Sequence, residues 1–145
     1  MKRAERALEL FRSDFNCSQA VFAAYRQEET LDEASALKLA TVFGAGLSGT
    51  GAELCGAASG ALLAISQREG MGDRTALPAK ARTYELGQYF LAEFRERMGS
   101  CRCEEILGVN LGSPAAMAAA RAERLFETRC PKAIQTAAAI LEEIL

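Results

Sequence analysis

Residues 131–145 read Pro-Lys-Ala-Ile-Gln-Thr-Ala-Ala-Ala-Ile-Leu-Glu-Glu-Ile-Leu, with apolar side chains recurring in steps of three and four. This spacing places one apolar stripe along an α-helix, formed by Ile134, Ala137, Ala138, Leu141, Ile144 and Leu145. A similar stripe lies near the amino terminus, formed by Ala4, Ala7, Leu8, Phe11 and Phe15. No stretch alternates polar and apolar residues with the period of two that is typical of a half-buried strand. The pattern therefore predicts an all-α protein.

Further helices are predicted between the two stripes, separated by glycines and capping residues. They run over residues 17–28, 31–43, 53–69, 78–98 and 114–127, with a glycine-rich loop over 44–51, a turn over 101–107 and a final helix that begins at Pro131. Ser113 and Gly99 are typical of residues that start and end helices. No linker, repeat or low-complexity tract divides the chain. We expect one domain, residues 1–145, built as a helical bundle of about six or seven helices.

Charge and hydropathy exclude two classes of partner. The chain of 145 residues has a net charge of −2, and its Lys and Arg residues are interspersed with Glu and Asp. This distribution offers no basic face for phosphates, so we expect no nucleic-acid partner. The longest weakly polar run, residues 54–65, is far shorter than the roughly 20 apolar residues that span a bilayer, so we expect no direct membrane insertion. No apolar signal segment follows the charged start of the chain, which favours a cytoplasmic location.

The residue counts also restrict the chemistry. The chain has no histidine, which excludes Ser-His-Asp triads, Cys-His nucleophile pairs and mixed Cys/His zinc sites. It has five cysteines: Cys17, Cys55, Cys101, Cys103 and Cys130. In a reducing compartment, such thiols bind a metal, take part in redox chemistry, or lie buried and inert.

Four of the cysteines fall at predicted helix starts. Cys17 follows the capping residue Asn16, and Cys55 lies in the first turn after the glycine loop. Cys103 precedes a short helical segment, and Cys130 is expected at the N-cap of the final helix. Unpaired N–H groups and the helix dipole stabilise a thiolate at such a place, so this arrangement predicts lowered thiol pKa values. The alternative is that each cysteine is a small buried hydrophobic residue.

The cysteines and their neighbours carry a family resemblance. In order, the chain contains Asn16-Cys17-Ser18-Gln19-Ala20-Val21, Cys55-Gly56-Ala57-Ala58-Ser59-Gly60-Ala61, Cys103-Glu104-Glu105-Ile106-Leu107-Gly108 and Cys130. This arrangement resembles a family of redox-active proteins with a CGAxxG motif and four hallmark cysteines, over nearly the whole chain. The resemblance implies that the redox-active thiols are Cys17, Cys55, Cys103 and Cys130. It also implies a bacterial or archaeal source, often beside transporter genes, whereas Cys101 has no counterpart in the family pattern.

The chemistry of the centre stays open at this point. Four cysteines, Cys17, Cys55, Cys103 and Cys130, are the usual ligand set for an iron–sulfur cluster or another metal, although their wide spacing makes zinc the less attractive metal. A dithiol/disulfide couple needs only two of them. Gly56, Ala57 and Gly60 leave one side of a helix start bare, so a cofactor or another backbone could approach closely.

We favour electron transfer with a redox partner that the sequence does not identify. The family resemblance suggests that this partner is linked to a membrane transporter. The sequence is also compatible with a homo-oligomer. The competing hypothesis is a helical interaction module whose cysteines are structural and unreactive.

Overall fold

Residues 2–145 are described by the computed structural model, in which 69% of the residues are helical. They form eight α-helices: α1 (Arg3–Arg12), α2 (Cys17–Tyr25), α3 (Glu33–Ala40), α4 (Gly56–Glu69), α5 (Leu77–Met98), α6 (Cys103–Leu107), α7 (Pro114–Ala122) and α8 (Leu125–Ile144). A 3₁₀ turn, Thr41–Phe43, follows α3, and no strand occurs within residues 2–145. The all-α prediction is confirmed. The number of helices reaches eight because the predicted turn after α5 contains the short helix α6.

The bundle is built around α2, which packs against α1, α3, α4 and α8. All of its nine residues except Gln19 are buried. Alanine and glycine are abundant on α2 and α4, and small side chains allow helix backbones to approach closely. The predicted carboxy-terminal stripe faces this core, where Ile134, Ala137 and Leu141 are fully buried.

A second, smaller hydrophobic cluster lies beside the main core. Its buried members are Cys103, Leu107, Leu111 and Ala120, and its partly buried members are Val109, Met117, Leu125, Phe126 and Cys130. These residues come from α6, α7, the loop between them and the first turns of α8. The rest of α8 belongs to the main core. Helix α8 therefore joins the two clusters, and Pro131 lies where it passes from one to the other.

The start of the final helix was predicted wrongly. Helix α7 ends at Ala122, and α8 begins at Leu125, six residues before Pro131. Arg124 adopts a left-handed backbone with φ of 57° and separates the two helices. Proline is favoured at a first helical position, but that position is not obligatory. Here the packing of Leu125 and Phe126 in the smaller cluster stabilises the additional turns.

The glycine-rich segment 44–51 forms a compact loop between the 3₁₀ turn and α4, as predicted. Its backbone is held by internal hydrogen bonds, including Ser48 N–H to Val42 O at 2.7 Å and Gly51 N–H to Ala45 O at 2.9 Å. At Gly46 the loop turns with φ of 69°, and a side chain there would collide with the Cys103 Cβ. The loop is therefore packed directly against α6.

No helix within residues 2–145 is both long enough and apolar enough to cross a membrane.

Candidate functional site

The four hallmark cysteines line one cavity of about 600 Å³. Cys17 comes from α2, Cys55 from the residue before α4, Cys103 from α6 and Cys130 from α8. The first three are buried, whereas Cys130 is half-buried. All five cysteines, including Cys101, are free thiols. The structure thus brings together the four residues that the sequence singled out.

The first cysteine is fixed by the cap of its helix. The Asn16 side chain accepts a hydrogen bond from the Gln19 N–H, and the Gln19 side chain accepts one from the Asn16 N–H, both at 2.9 Å. Asn16 also donates to the Thr41 carbonyl at 2.9 Å. This reciprocal cap sets the first residue of α2 in place. Cys17 is that residue, so its position at a helix start is confirmed.

The second and third cysteines are joined by backbone pairing. The Cys55 N–H donates to the Cys101 carbonyl at 2.7 Å, and the Cys103 N–H donates to the Glu53 carbonyl at 2.9 Å. Leu54 and Arg102, between them, form an isolated antiparallel bridge. Two segments that are about 50 residues apart in the sequence are therefore paired, with Cys55 opposite Cys101 and Cys103 opposite Glu53, which leaves Cys55 and Cys103 in diagonal positions.

Arg102 strengthens this pairing from outside. Its guanidinium donates to the Ala52 carbonyl at 3.0 and 3.3 Å and pairs with Glu104 and Glu105. The sequence places Arg102 beside a cysteine, but its contact with Ala52 depends on the fold. Arg102 supports the paired segments and does not line the cavity.

The glycines of the motif explain why α2 and α4 approach so closely. A Cβ on Gly56 would overlap the sulfur of Cys17, and a Cβ on Gly60 would lie 2.5 Å from the Ser18 carbonyl oxygen. Between them, the Ser59 hydroxyl donates to the Phe43 carbonyl at 2.7 Å. The sequence predicted that either a cofactor or another backbone would approach this helix start. At Gly56 and Gly60 the approaching group is helix α2.

The thiol pKa values run opposite to the prediction. Burial raises the pKa of the Cys17 thiol, although hydrogen bonds from nearby backbone N–H groups, chiefly that of Ala45, act against the rise. Burial raises the pKa of Cys103 to about 12 and raises those of Cys55 and Cys130 above their ordinary values. A charge on Cys17 raises these three pKa values further. Desolvation outweighs the helix-end effect, so the thiols are protonated at neutral pH.

Cys130 also differs from the sequence prediction in its position. It is the sixth residue of α8 and not its N-cap. The unpaired N–H groups of a helix lie within its first turn, so Cys130 lacks the stabilisation expected there. It reaches the cavity because the first turns of α8 pack in the smaller hydrophobic cluster.

Cys101 lies apart from the other thiols. It is buried in the main core, and its Sγ donates to the Leu91 carbonyl at 3.6 Å. It does not line the cavity. Its backbone carbonyl nevertheless accepts the hydrogen bond that positions Cys55.

The walls of the cavity are mostly apolar. They are formed by Phe11, Phe15, Ile106, Leu107, Met117, Phe126 and Ala133, and the charged residues Asp14, Arg121 and Glu127 stand at the rim. The sequence assigned Phe11 and Phe15 to a core stripe and gave no signal for Met117 or Phe126. These four residues line the cavity because the main core, with Phe11 and Phe15, meets the smaller cluster, with Met117 and Phe126, at this place.

The arrangement of the four cysteine thiols bears on which kind of metal group they would hold. No three Cys, Asp or Glu side chains within residues 2–145 are arranged to hold a single metal ion. A mononuclear zinc or iron site is therefore not formed by the thiols as they stand. In an iron–sulfur cluster, by contrast, the four cysteine ligands bind different metal atoms.

A family comparison agrees with this site. The model of the family described as "Putative redox-active protein (C_GCAxxG_C_C)" matches residues 15–144. The chain belongs to this family. The matched range contains all five cysteines, and the segment that begins at the second cysteine reads Cys-Gly-Ala-Ala-Ser-Gly over residues 55–60. No curated protein and no solved structure matches the chain.

Proposed function

We propose that this protein is an electron-transfer protein whose redox centre consists of Cys17, Cys55, Cys103 and Cys130. The observation that carries the proposal is their convergence, since four thiols from four separate elements line one cavity. Membership in the redox-active family supports it independently. A fold that needed the cysteines only as small apolar residues would have no reason to gather them around a cavity.

In the first form of the proposal, two of the thiols interconvert with a disulfide. Oxidation removes two electrons and two protons and forms one S–S bond. Cys17 is the best candidate for the attacking thiol, because the backbone N–H groups near its sulfur, chiefly that of Ala45, would stabilise its thiolate.

In the second form, the same four cysteines hold an iron–sulfur cluster. When bound, such a cluster would supply one-electron transfer at a potential set by burial and by hydrogen bonds to the cysteine sulfurs. The chain provides both influences: the backbone N–H groups of Ala57 and Ala58 favour a charged sulfur on Cys55, and Cys17 is buried. Gly56, Ala57 and Gly60 would act by keeping the neighbourhood of Cys55 free of large side chains.

The proposal includes a cellular setting. Free thiols of this kind fit a reducing compartment, so we propose a cytoplasmic protein of a prokaryote. Its redox partner is unidentified, and the family resemblance suggests a link to a membrane transporter. A homo-oligomer is compatible with the proposal.

Anaerobic purification followed by iron, zinc and acid-labile sulfide analysis tests the function. Iron and sulfide in stoichiometric amounts would establish the cluster form. Metal-free protein in which alkylation and mass spectrometry reveal one reversible disulfide among the four cysteines would establish the thiol form. Metal-free protein whose thiols neither oxidise nor react in the folded state would contradict the proposal and support the interaction module.

A further inference from the structure

The cavity beside the four cysteines has the dimensions and walls of a small-molecule site. Its volume of about 600 Å³ lies within the range of roughly 300–1,000 Å³ found for ligand pockets. The thiols form only part of its lining, and the remaining walls are apolar. A redox centre that exchanged electrons solely across the protein surface would not require this additional space.

The walls favour a planar apolar ring. Phe11 and Phe15 border the cavity from the α1 side, whereas Met117 and Phe126 border it from the α7 and α8 side. Aromatic rings and the methionine thioether make favourable contacts with a flat ring placed between them. No charged side chain lines the interior, and the charges are confined to exposed residues at the rim.

Of the three charged residues at the rim, Asp14 and Arg121 form no ion pair within the described residues, and only Arg121 carries hydrogen-bond donors. Glu127 pairs with Arg124 at 2.8 Å, whereas Arg121 is exposed and forms no ion pair within the part of the chain that the structure describes. Its guanidinium offers hydrogen-bond donors at the mouth of an otherwise apolar cavity. A ligand that is apolar in its ring and carries an oxygen acceptor at one end fits both features.

We propose that the cavity binds a quinone-type compound, which exchanges electrons with the cysteine centre. The inference rests on the proposed function in its thiol form. Two S–H bonds break and one S–S bond forms, which releases two electrons and two protons. The quinone takes up both, so its two carbonyl groups become the two hydroxyl groups of the hydroquinone. Nucleotide and glutathione carriers fit less well, because their phosphates or carboxylates would face apolar walls.

Duroquinone is a suitable probe, because its fully substituted ring has no C–H position at which a thiol adds. Binding is measured by equilibrium dialysis with the oxidised protein, and electron transfer by the rate at which anaerobically reduced protein forms hydroquinone. We expect saturable binding and a saturable rate. Met117→Trp, which fills the cavity, should weaken binding at least tenfold, and Arg121→Gln should weaken it several-fold.

Matched variants outside the cavity control for the added bulk and the lost charge. Met71→Trp and Arg74→Gln change exposed residues that do not line the cavity, and both should bind duroquinone as the parent does. Absence of binding in a parent protein whose thiols oxidise reversibly with diamide would overturn the quinone site alone. So would parent-like binding by Met117→Trp, or purification with stoichiometric iron and sulfide. Binding by metal-free protein without any reversible thiol oxidation would instead contradict the proposed function.

Discussion

Gly56 and Cys17 are packed so closely that a Cβ atom on Gly56 would overlap the Cys17 sulfur. The glycine of the motif is thus the residue that allows the first hallmark cysteine to lie beside the second. Contact between α2 and α4 continues at Gly60, which faces the Ser18 backbone. The motif sets the distance between two cysteine-bearing helices.

Gly56→Ala should displace the Cys17 sulfur and destabilise the protein. Alanine is the better helix former, but overpacking a tight contact typically costs about 1–3 kcal/mol, so we expect a net loss of stability. Urea unfolding measures the change, and alkylation of the folded protein should show altered reactivity of Cys17.

Gly87→Ala is the matched control, because its Cβ would meet only Leu62 Cδ2, at 3.5 Å. Here alanine should be neutral or stabilise α5 by roughly 0.5–1 kcal/mol. Equal effects of the two substitutions would show that the close approach at Gly56 has no energetic consequence.

Pro131→Ala should stabilise the protein by about 1–3 kcal/mol. Proline in a helix interior removes one backbone hydrogen bond, here to the Glu127 carbonyl, and alanine restores its donor. Thermal or urea unfolding measures the gain.

Pro114→Ala serves as the control, because Pro114 is the first residue of α7, where no backbone donor is needed. The effect of this substitution on the free energy of unfolding should stay within about 1 kcal/mol. A destabilised Pro131→Ala protein would mean that a bend at Pro131 is required for packing.

Serine substitutions should separate Cys101 from the hallmark cysteines. Replacing any one of Cys17, Cys55, Cys103 and Cys130 removes a soft ligand and should abolish cluster binding in the cluster form. In the thiol form, replacing either partner of the disulfide should abolish its formation, because a serine hydroxyl cannot take part in the exchange. Cys101→Ser should leave both intact, because the Cys101 side chain lies outside the cavity and the serine hydroxyl retains a donor for Leu91. Anaerobic metal analysis and thiol mapping of all five variants provide the measurement. Loss of metal binding or of the disulfide in Cys101→Ser, but not in Cys103→Ser, would show that Cys101 and not Cys103 belongs to the centre.

Stability should fall as the pH rises above 9. The folded protein holds the Cys103 proton up to about pH 12, whereas an unfolded thiol releases it near its ordinary value of 9.0. The unfolded state therefore binds fewer protons between these values, and stability decreases there by at most about 1.4 kcal/mol per pH unit for one thiol. Urea midpoints measured at pH 7.5, 9 and 10 under reducing conditions test this. Cys103→Ala should show a shallower decline, and a flat parent profile would contradict the raised pKa.

Local sequence patterns are sufficient to predict most of the helices. The apolar stripe that contains Ile134 and Leu141 predicts a core-facing helix because periodicity depends on neighbouring residues alone. The cap at Asn16 likewise predicts the start of α2, which the structure confirms. The family resemblance distinguishes the four hallmark cysteines from Cys101, and those four, without Cys101, line one cavity.

Tertiary packing decides the remaining features. The start of α8 at Leu125 depends on burial against residues that are distant in sequence, and this burial prevails over the local preference for Pro131 at a helix start. The pKa of Cys103 rises because desolvation depends on every side chain around the sulfur, which no local pattern records. The sequence resemblance is enough to single out four of the five thiols. That these thiols line an apolar cavity and keep their protons depends on the folded chain, because burial is a property of the whole assembly of helices.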